Sequence, residues 1–188
     1  MNFAEDSYKL YCLQNAHELE ENPELSVFSM LEKLTLNHGV TNVYKDFDSI
    51  ESFQESLETL LYTDKDFKEY ELIYLILSGE NGDIEIDGYL YSLEEIAEIF
   101  QGKLTGKILH FADTKELNLD EETAQYFLDI TGAKAISGYA DHTPIFSNIL
   151  DYHYFKLYQE YDNIFELIEK LFEQQYTLCT NIGFRLYY

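Results

Sequence analysis

Residues Leu72 to Leu117 read LIYLILSGENGDIEIDGYLYSLEEIAEIFQGKLTGKILHFADTKEL. The stretch opens on six unbroken apolar residues, Leu72 to Leu77. That run is too short for a membrane span and suits a strand buried on both faces. Ser78-Gly79-Glu80-Asn81-Gly82 ends it, and two glycines let the chain turn sharply from a sheet edge. Asp87-Gly88, between Ile84 to Ile86 and Tyr89 to Tyr91, predicts a small hairpin. Ser92 with Glu95 three residues on is a capping box. The helix it starts places Leu93, Ile96, Ala97 and Phe100 on one face. Gly102 and Gly106 close that helix. A second apolar strand, Lys107 to Phe111, then runs into Ala112-Asp113-Thr114. The order is strand, crossover helix, parallel strand. In open parallel sheets, ligands gather beyond the carboxyl ends of the strands. Those ends are Ser78 to Asn81 and Ala112 to Thr114.

Working outward, the same reasoning covers the rest of the chain. Tyr8 to Leu13 predicts a first strand, and Asn15 to Pro23 a polar loop. Ser26 is expected to cap a helix from Val27 to Leu36, with Phe28, Leu31 and Leu34 facing inward. Val40 to Tyr44 reads as a short strand. Ser49 caps a helix from Ile50 to Tyr62 whose inner side is Phe53, Leu57, Leu60 and Leu61. Beyond Thr114, a helix from Asp120 to Ile130 carries acids in its first turn, where the helix dipole favours them. Ala133 to Tyr139 is a further strand, ending on Ala140-Asp141-His142. Thr143 followed by Pro144 starts a helix to about Tyr158. Asn163 opens another, Ile164 to Gln175, and Ile182 to Tyr188 alternates as an edge strand does. The expected fold is one α/β domain over residues 1–188, with three layers and a mostly parallel central sheet.

Composition narrows the function. Thirty-six acids against twelve bases give the 188-residue chain a net charge of −24. Phosphates would be repelled, so neither nucleic acid nor an anionic membrane is an expected ligand. A basic protein or peptide is the partner such a surface favours. The N-terminal Met1-Asn2-Phe3-Ala4-Glu5-Asp6 has no basic region followed by an apolar one, so no secretory leader is expected. Cys12 and Cys179 lie far apart in apolar surroundings. A disulfide between them is one reading, and two free thiols in a reducing cytoplasm is the better one.

The organising stretch also resembles the caspase-like cysteine-peptidase fold, in particular a small bacterial branch of it. The matching residues are Gly79, Glu80 and Gly82, Ser92 to Glu98, Gly106 to Phe111, Leu117, and Thr131 to Tyr139 (TGAKAISGY). The early strand and helices fit as well, so the likeness covers nearly the whole chain. It implies a histidine after the third strand as general acid or base, and a cysteine nucleophile after the next parallel strand. Here those two positions hold Ser78 and Thr114. A threonine hydroxyl is far less nucleophilic than a thiolate at neutral pH, and a serine cannot take up a proton as an imidazole does. The resemblance thus implies the scaffold without the dyad: a non-catalytic domain that binds a protein or peptide and needs no cofactor.

Two other functions follow from the residues alone. Glu80, Asp113, Asp141 and His142 fall on one rim with Ser78 and Thr114, and such a set could serve a metal-dependent or carboxylate-based hydrolase. Their spacing is no recognised ligand motif, and no metal is expected. The acidic surface could instead mimic DNA as a decoy for a nucleic-acid-binding protein, but the acids are scattered along amphipathic helices. His110, inside a strand beside Phe111, reads as a hydrogen-bonded core histidine. The aromatic run Tyr152, Tyr154, Phe155 and Tyr158 serves core packing and a partner surface about equally well.

Overall fold

The computed structural model describes residues 8–16, 26–80, 83–114, 117, 119–141 and 144–188. The apolar run at Leu72 to Leu77 becomes the middle of strand β3 (Tyr70–Glu80), and its two sides enter two different cores. Ile73, Leu75 and Leu77 face one core, and Leu72, Tyr74 and Ile76 the other. Strand residues alternate faces, so a run without polar breaks requires cover on both sides. Around β3 lie β1 (Lys9–Asn15), β2 (Thr41–Phe47), β6 (Ile108–Thr114), β7 (Ala135–Tyr139) and β8 (Phe184–Tyr187). The hairpin supplies β4 (Asp83–Ile86) and β5 (Tyr89–Tyr91).

The order across the sheet is β2-β1-β3-β6-β7-β8, with β4 and β5 branching from β3. Neighbours from β2 to β7 are parallel, and β8 closes the far edge antiparallel to β7. The helices are α1 (Phe28–His38), α2 (Ile50–Glu58), α3 (Leu93–Ile99), α4 (Glu121–Thr131), α5 (Pro144–Glu160) and α6 (Ile164–Asn181). Helices α2, α3 and α4 cover one face through residues such as Phe53, Ile96 and Phe127. Helices α1, α5 and α6 cover the other through Leu31, Leu34, Phe155 and Leu167. This is a three-layer α/β/α arrangement on a mostly parallel sheet, as the sequence predicts.

Local chemistry fixes the element ends. Asp87 (φ 52°) and Gly88 (φ 76°) both take the left-handed turn conformation that a two-residue hairpin needs. Ser92 and Glu95 form the capping box, with Ser92 N–H donating to Glu95 Oε2 at 2.8 Å. Asp120 caps α4, accepting from Thr123 N–H at 2.7 Å.

Several expectations need correction. Phe28 is not inward: it is 51% exposed, and the buried stripe is Val27, Met30, Leu31 and Leu34. Those four follow the i, i+3, i+4, i+7 spacing of one helix face, and Phe28 lies outside it. Ser26 is not the residue at the α1 N-cap. Val27 holds that place without a side-chain cap bond, and Ser26 Oγ accepts only a long 3.4 Å contact from Phe28 N–H. The helix expected to reach Tyr62 leaves α geometry at Glu58 and finishes as a π turn over Thr59–Thr63, which keeps Leu60 and Leu61 inward. α6 runs on past Gln175, where its backbone kinks (φ −129°, ψ 33°). Strands β3 and β6 outlast their apolar runs, because their last residues still have sheet partners. The loop expected at Asn15 to Pro23 lies mostly outside the described residues, as do Thr143 and His142.

Candidate functional site

The ends of β3 and β6 stand side by side. After a register shift beyond Ile76, Gly79 pairs laterally with Thr114. Adjacent strands run about 4.8 Å apart, so the two positions where the resemblance places a dyad are next to each other. Ser78 is half-buried. The other edge of β3 is occupied by β1 as far as Ile76, then by β4 at Gly79 and Glu80. Gly79 is sterically obligatory in this corner, since a Cβ there would sit 2.1 Å from the Asp83 carbonyl oxygen. For Glu80, Asp113 and Thr114 the backbone is described and the side chain is not, and His142 lies outside the described residues.

Asp141 belongs to a different corner. It follows β7, two places across the sheet from β3, or about 10 Å. Its N–H donates to Ile182 O at 3.2 Å, and Ala140 N–H donates to Gly183 O at 2.8 Å. Its exposed side chain therefore borders the turn before β8. Leu117 N–H donates to Tyr139 O at 2.9 Å, and the buried Leu117 side chain rests on Gly138, where a Cβ would lie 2.3 Å from Leu117 Cδ2. Tyr187 pins the same segment, donating to Leu117 O at 3.3 Å and accepting from Leu119 N–H at 2.9 Å. Ser78 and Thr114 are thus brought together by position, and Asp141 is held apart from them. Among the described residues, no three His, Cys, Asp or Glu side chains converge as a metal site would need.

Below this rim lies a polar centre inside the aromatic core. Asp151 on α5 is wholly buried. Its carboxylate accepts from Tyr74 OH at 2.5 Å, lies 2.7 Å from His110 Nε2, and accepts a short hydrogen bond from Tyr139 OH. The other imidazole nitrogen, His110 Nδ1, is 2.8 Å from Ser137 Oγ, and Tyr154 OH lies 3.4 Å beyond. Burial, and next the Asp151 charge, hold the Tyr74 and Tyr139 phenols well above their ordinary range, so both remain donors. Serine, imidazole and carboxylate follow one another here as in a hydrolytic triad. His110, Ser137 and Asp151 are nevertheless fully inaccessible, and aromatic rings from Tyr74, Tyr139, Tyr154, Phe155 and Phe184 enclose the imidazole. No substrate reaches the serine, so the arrangement is structural. It ties β3, β6 and β7 to α5 a few residues below Ser78, Thr114 and Asp141.

His110 is therefore the hydrogen-bonded core histidine that its neighbours suggested. Its partner Asp151 gave no sequence signal, because a lone aspartate on a helix normally faces water. Cys12 and Cys179 are both free and buried. Burial pushes the Cys179 thiol up to about 11 and holds Cys12 well above the ordinary thiol range, so neither is poised as a nucleophile. Sequence reasoning also passed over the end of β1. There Gln14 Oε1 accepts from Tyr44 OH at 3.1 Å, beside the point where the chain's path through the sheet reverses direction.

Residues 7–188 match a protein family described as a family of unknown function, DUF6642. The chain belongs to DUF6642. A comparison with curated proteins finds no match. The DUF6642 match covers all the strands and helices described above. Among the described residues, no helix is long and apolar enough to cross a membrane.

Proposed function

We propose that this chain is a caspase-like domain that has lost the peptidase dyad and acts by holding a protein or peptide, with a basic partner favoured. The observation that carries this reading is the lateral pairing of Gly79 with Thr114 at the ends of adjacent parallel strands. A histidine and a cysteine at Ser78 and Thr114 would then be neighbours, as acid–base and nucleophilic roles demand. The native residues cannot supply that chemistry. A strand-end corner kept in shape by an obligatory glycine, and lacking a nucleophile, can hold a chain without cutting it. The net charge of −24 favours cationic partners and disfavours phosphate-bearing ones. Two free buried thiols suit a reducing cytoplasm.

The site is tested by the double variant Ser78→His with Thr114→Cys, labelled with a thiol-reactive electrophile at pH 7. The introduced thiol should label faster than an ordinary exposed one, and the excess should vanish in the Thr114→Cys single variant. Labelling at the rate of any surface thiol in both proteins overturns the caspase-like placement. Binding is read by anisotropy of fluorescent lysine- and arginine-rich peptides against the native protein and Thr114→Trp, which crowds the corner. Titration of the native protein alone is expected. Equal binding to both, or to neither, removes peptide capture at this corner.

A further inference from the structure

A cleft of about 340 Å³ opens between α1 and α5, and none of its lining residues belongs to the rim. Met30, Ile149 and Tyr152 give it an apolar floor, and Ser29, Lys33 and Asn148 add polar groups. Among the described residues, no aspartate or glutamate lines it. Lys33 makes no ion pair among the described residues. The two bounding helices start without a carboxylate in the first turn, whereas α2, α3, α4 and α6 each have one. At the start of α1, where Ser26 and Ser29 line the cleft, the positive end of the helix dipole thus has no carboxylate in its own first turn.

His153, on the cleft wall, adds an independent observation. Its Nε2 accepts from the Gln175 side-chain amide at 3.2 Å, at the kink of α6. Burial, and then the Lys156 charge, keep the imidazole below its usual range, so the ring is neutral with its proton on Nδ1. That Nδ1–H is buried and has no hydrogen-bond partner among the described residues. A buried donor without an acceptor costs about 1–3 kcal/mol, a cost that an acceptor supplied by a ligand would remove.

We infer that the α1/α5 cleft is a binding site for a small organic anion that joins an apolar or aromatic body to a negatively charged head group. The body lies on Met30, Ile149 and Tyr152. The head group takes Lys33 as counter-charge, with the Ser29 hydroxyl, the Asn148 amide and the His153 imidazole as nearby donors. The volume suits a ligand of a few rings or fewer. A net charge of −24 disfavours anion binding over the surface at large, so Lys33 is the local counter-charge the head group requires.

The probe is 8-anilinonaphthalene-1-sulfonate, an aromatic anion whose fluorescence rises in apolar surroundings, titrated into the folded protein. One saturable site is expected, weakened by added salt. Lys33→Gln should reduce affinity roughly fivefold, as loss of a single exposed counter-charge does. Ile149→Asp, at a position 44% exposed and so tolerant of substitution, should abolish binding. The uncharged analogue N-phenyl-1-naphthylamine should bind native and Lys33→Gln proteins equally. If the sulfonate does not bind, or if both variants bind it as the native protein does, the site is overturned. If Ile149→Asp abolishes binding while Lys33→Gln and salt leave it unchanged, the cleft is apolar only and the anion assignment is overturned.

Discussion

His110 Nε2 and an Asp151 carboxylate oxygen lie 2.7 Å apart, with no solvent access to either side chain. Two tyrosine hydroxyls complete the ring of donors around Asp151. Breaking a buried charged centre by removing one member costs far more than losing a surface ion pair. Asp151→Ala leaves an imidazole and two phenols without an acceptor and should destabilise the protein by about 3–5 kcal/mol. At about 2–4 °C per kcal/mol for a chain of this size, the thermal midpoint should fall by roughly 10 °C. In a double-mutant cycle with His110→Gln, the two single losses should exceed the double loss by at least about 1 kcal/mol. Additive losses would show that the two residues are not coupled.

The buried phenols set the alkaline limit. Burial holds Tyr8, Tyr74 and Tyr139 well above the ordinary phenol range, and neighbouring negative charge adds to it. In the unfolded chain the same groups ionise near pH 10. Above about pH 10 the folded protein therefore binds more protons than the unfolded chain, and stability falls as pH rises toward the folded-state values. Each withheld phenol removes about 1.4 kcal/mol per pH unit over that window. Denaturant midpoints at pH 8 to 11 should be level to about pH 9.5 and then drop. A midpoint still level at pH 11 contradicts this account.

Gly79, at the end of β3, and Gly88, at the tip of the hairpin, offer a contrast. Gly79→Ala places a methyl group 2.1 Å from the Asp83 carbonyl oxygen, so β4 has to move off β3. Gly88→Ala meets nothing within 4 Å and strains only its own positive φ, at about 1–2 kcal/mol. Gly79→Ala should cost more, about 2–3 kcal/mol, and should speed amide hydrogen exchange at Ile84. Equal stability for the two variants, with Ile84 exchange unchanged, would mean that the hairpin is not held against the end of β3.

The sheet was legible because its grammar is local. An unbroken run at Leu72 to Leu77 specifies two covered faces, Asp87-Gly88 a tight hairpin, and Ser92 with Glu95 a helix start. Phe28 lies off the buried stripe because Val27, Met30, Leu31 and Leu34 carry the helix period. The polar centre could not be found this way. Tyr74, His110, Ser137, Tyr139 and Asp151 sit on four elements, and only the tertiary stacking of α5 on the sheet brings them together. α5 also carries Asn148, His153, Lys156, Gln159 and Glu160 at half-buried or exposed positions, so Asp151 looks like one more surface residue when read alone. At the rim, the neighbouring of positions 78 and 114 followed from the parallel strand order. The separation of Asp141 did not, since it depends on hydrogen bonds to the turn at Ile182 and Gly183.

The wide spacing of the polar centre along the chain bears on how the protein assembles. Tyr74 and Asp151 are 77 positions apart, and His110 and Asp151 41. An aspartate keeps its hydration until donors are in place to replace it, so α5 docks after β3, β6 and β7 have paired. Asp151 should then join late, past the folding barrier, so that stopped-flow measurements on Asp151→Ala should show faster unfolding with a nearly unchanged refolding rate. During synthesis, a chain that has not yet released α5 from the ribosome holds a sheet with an imidazole and two phenols waiting for their acceptor. Until the helix arrives, α1 alone covers that face.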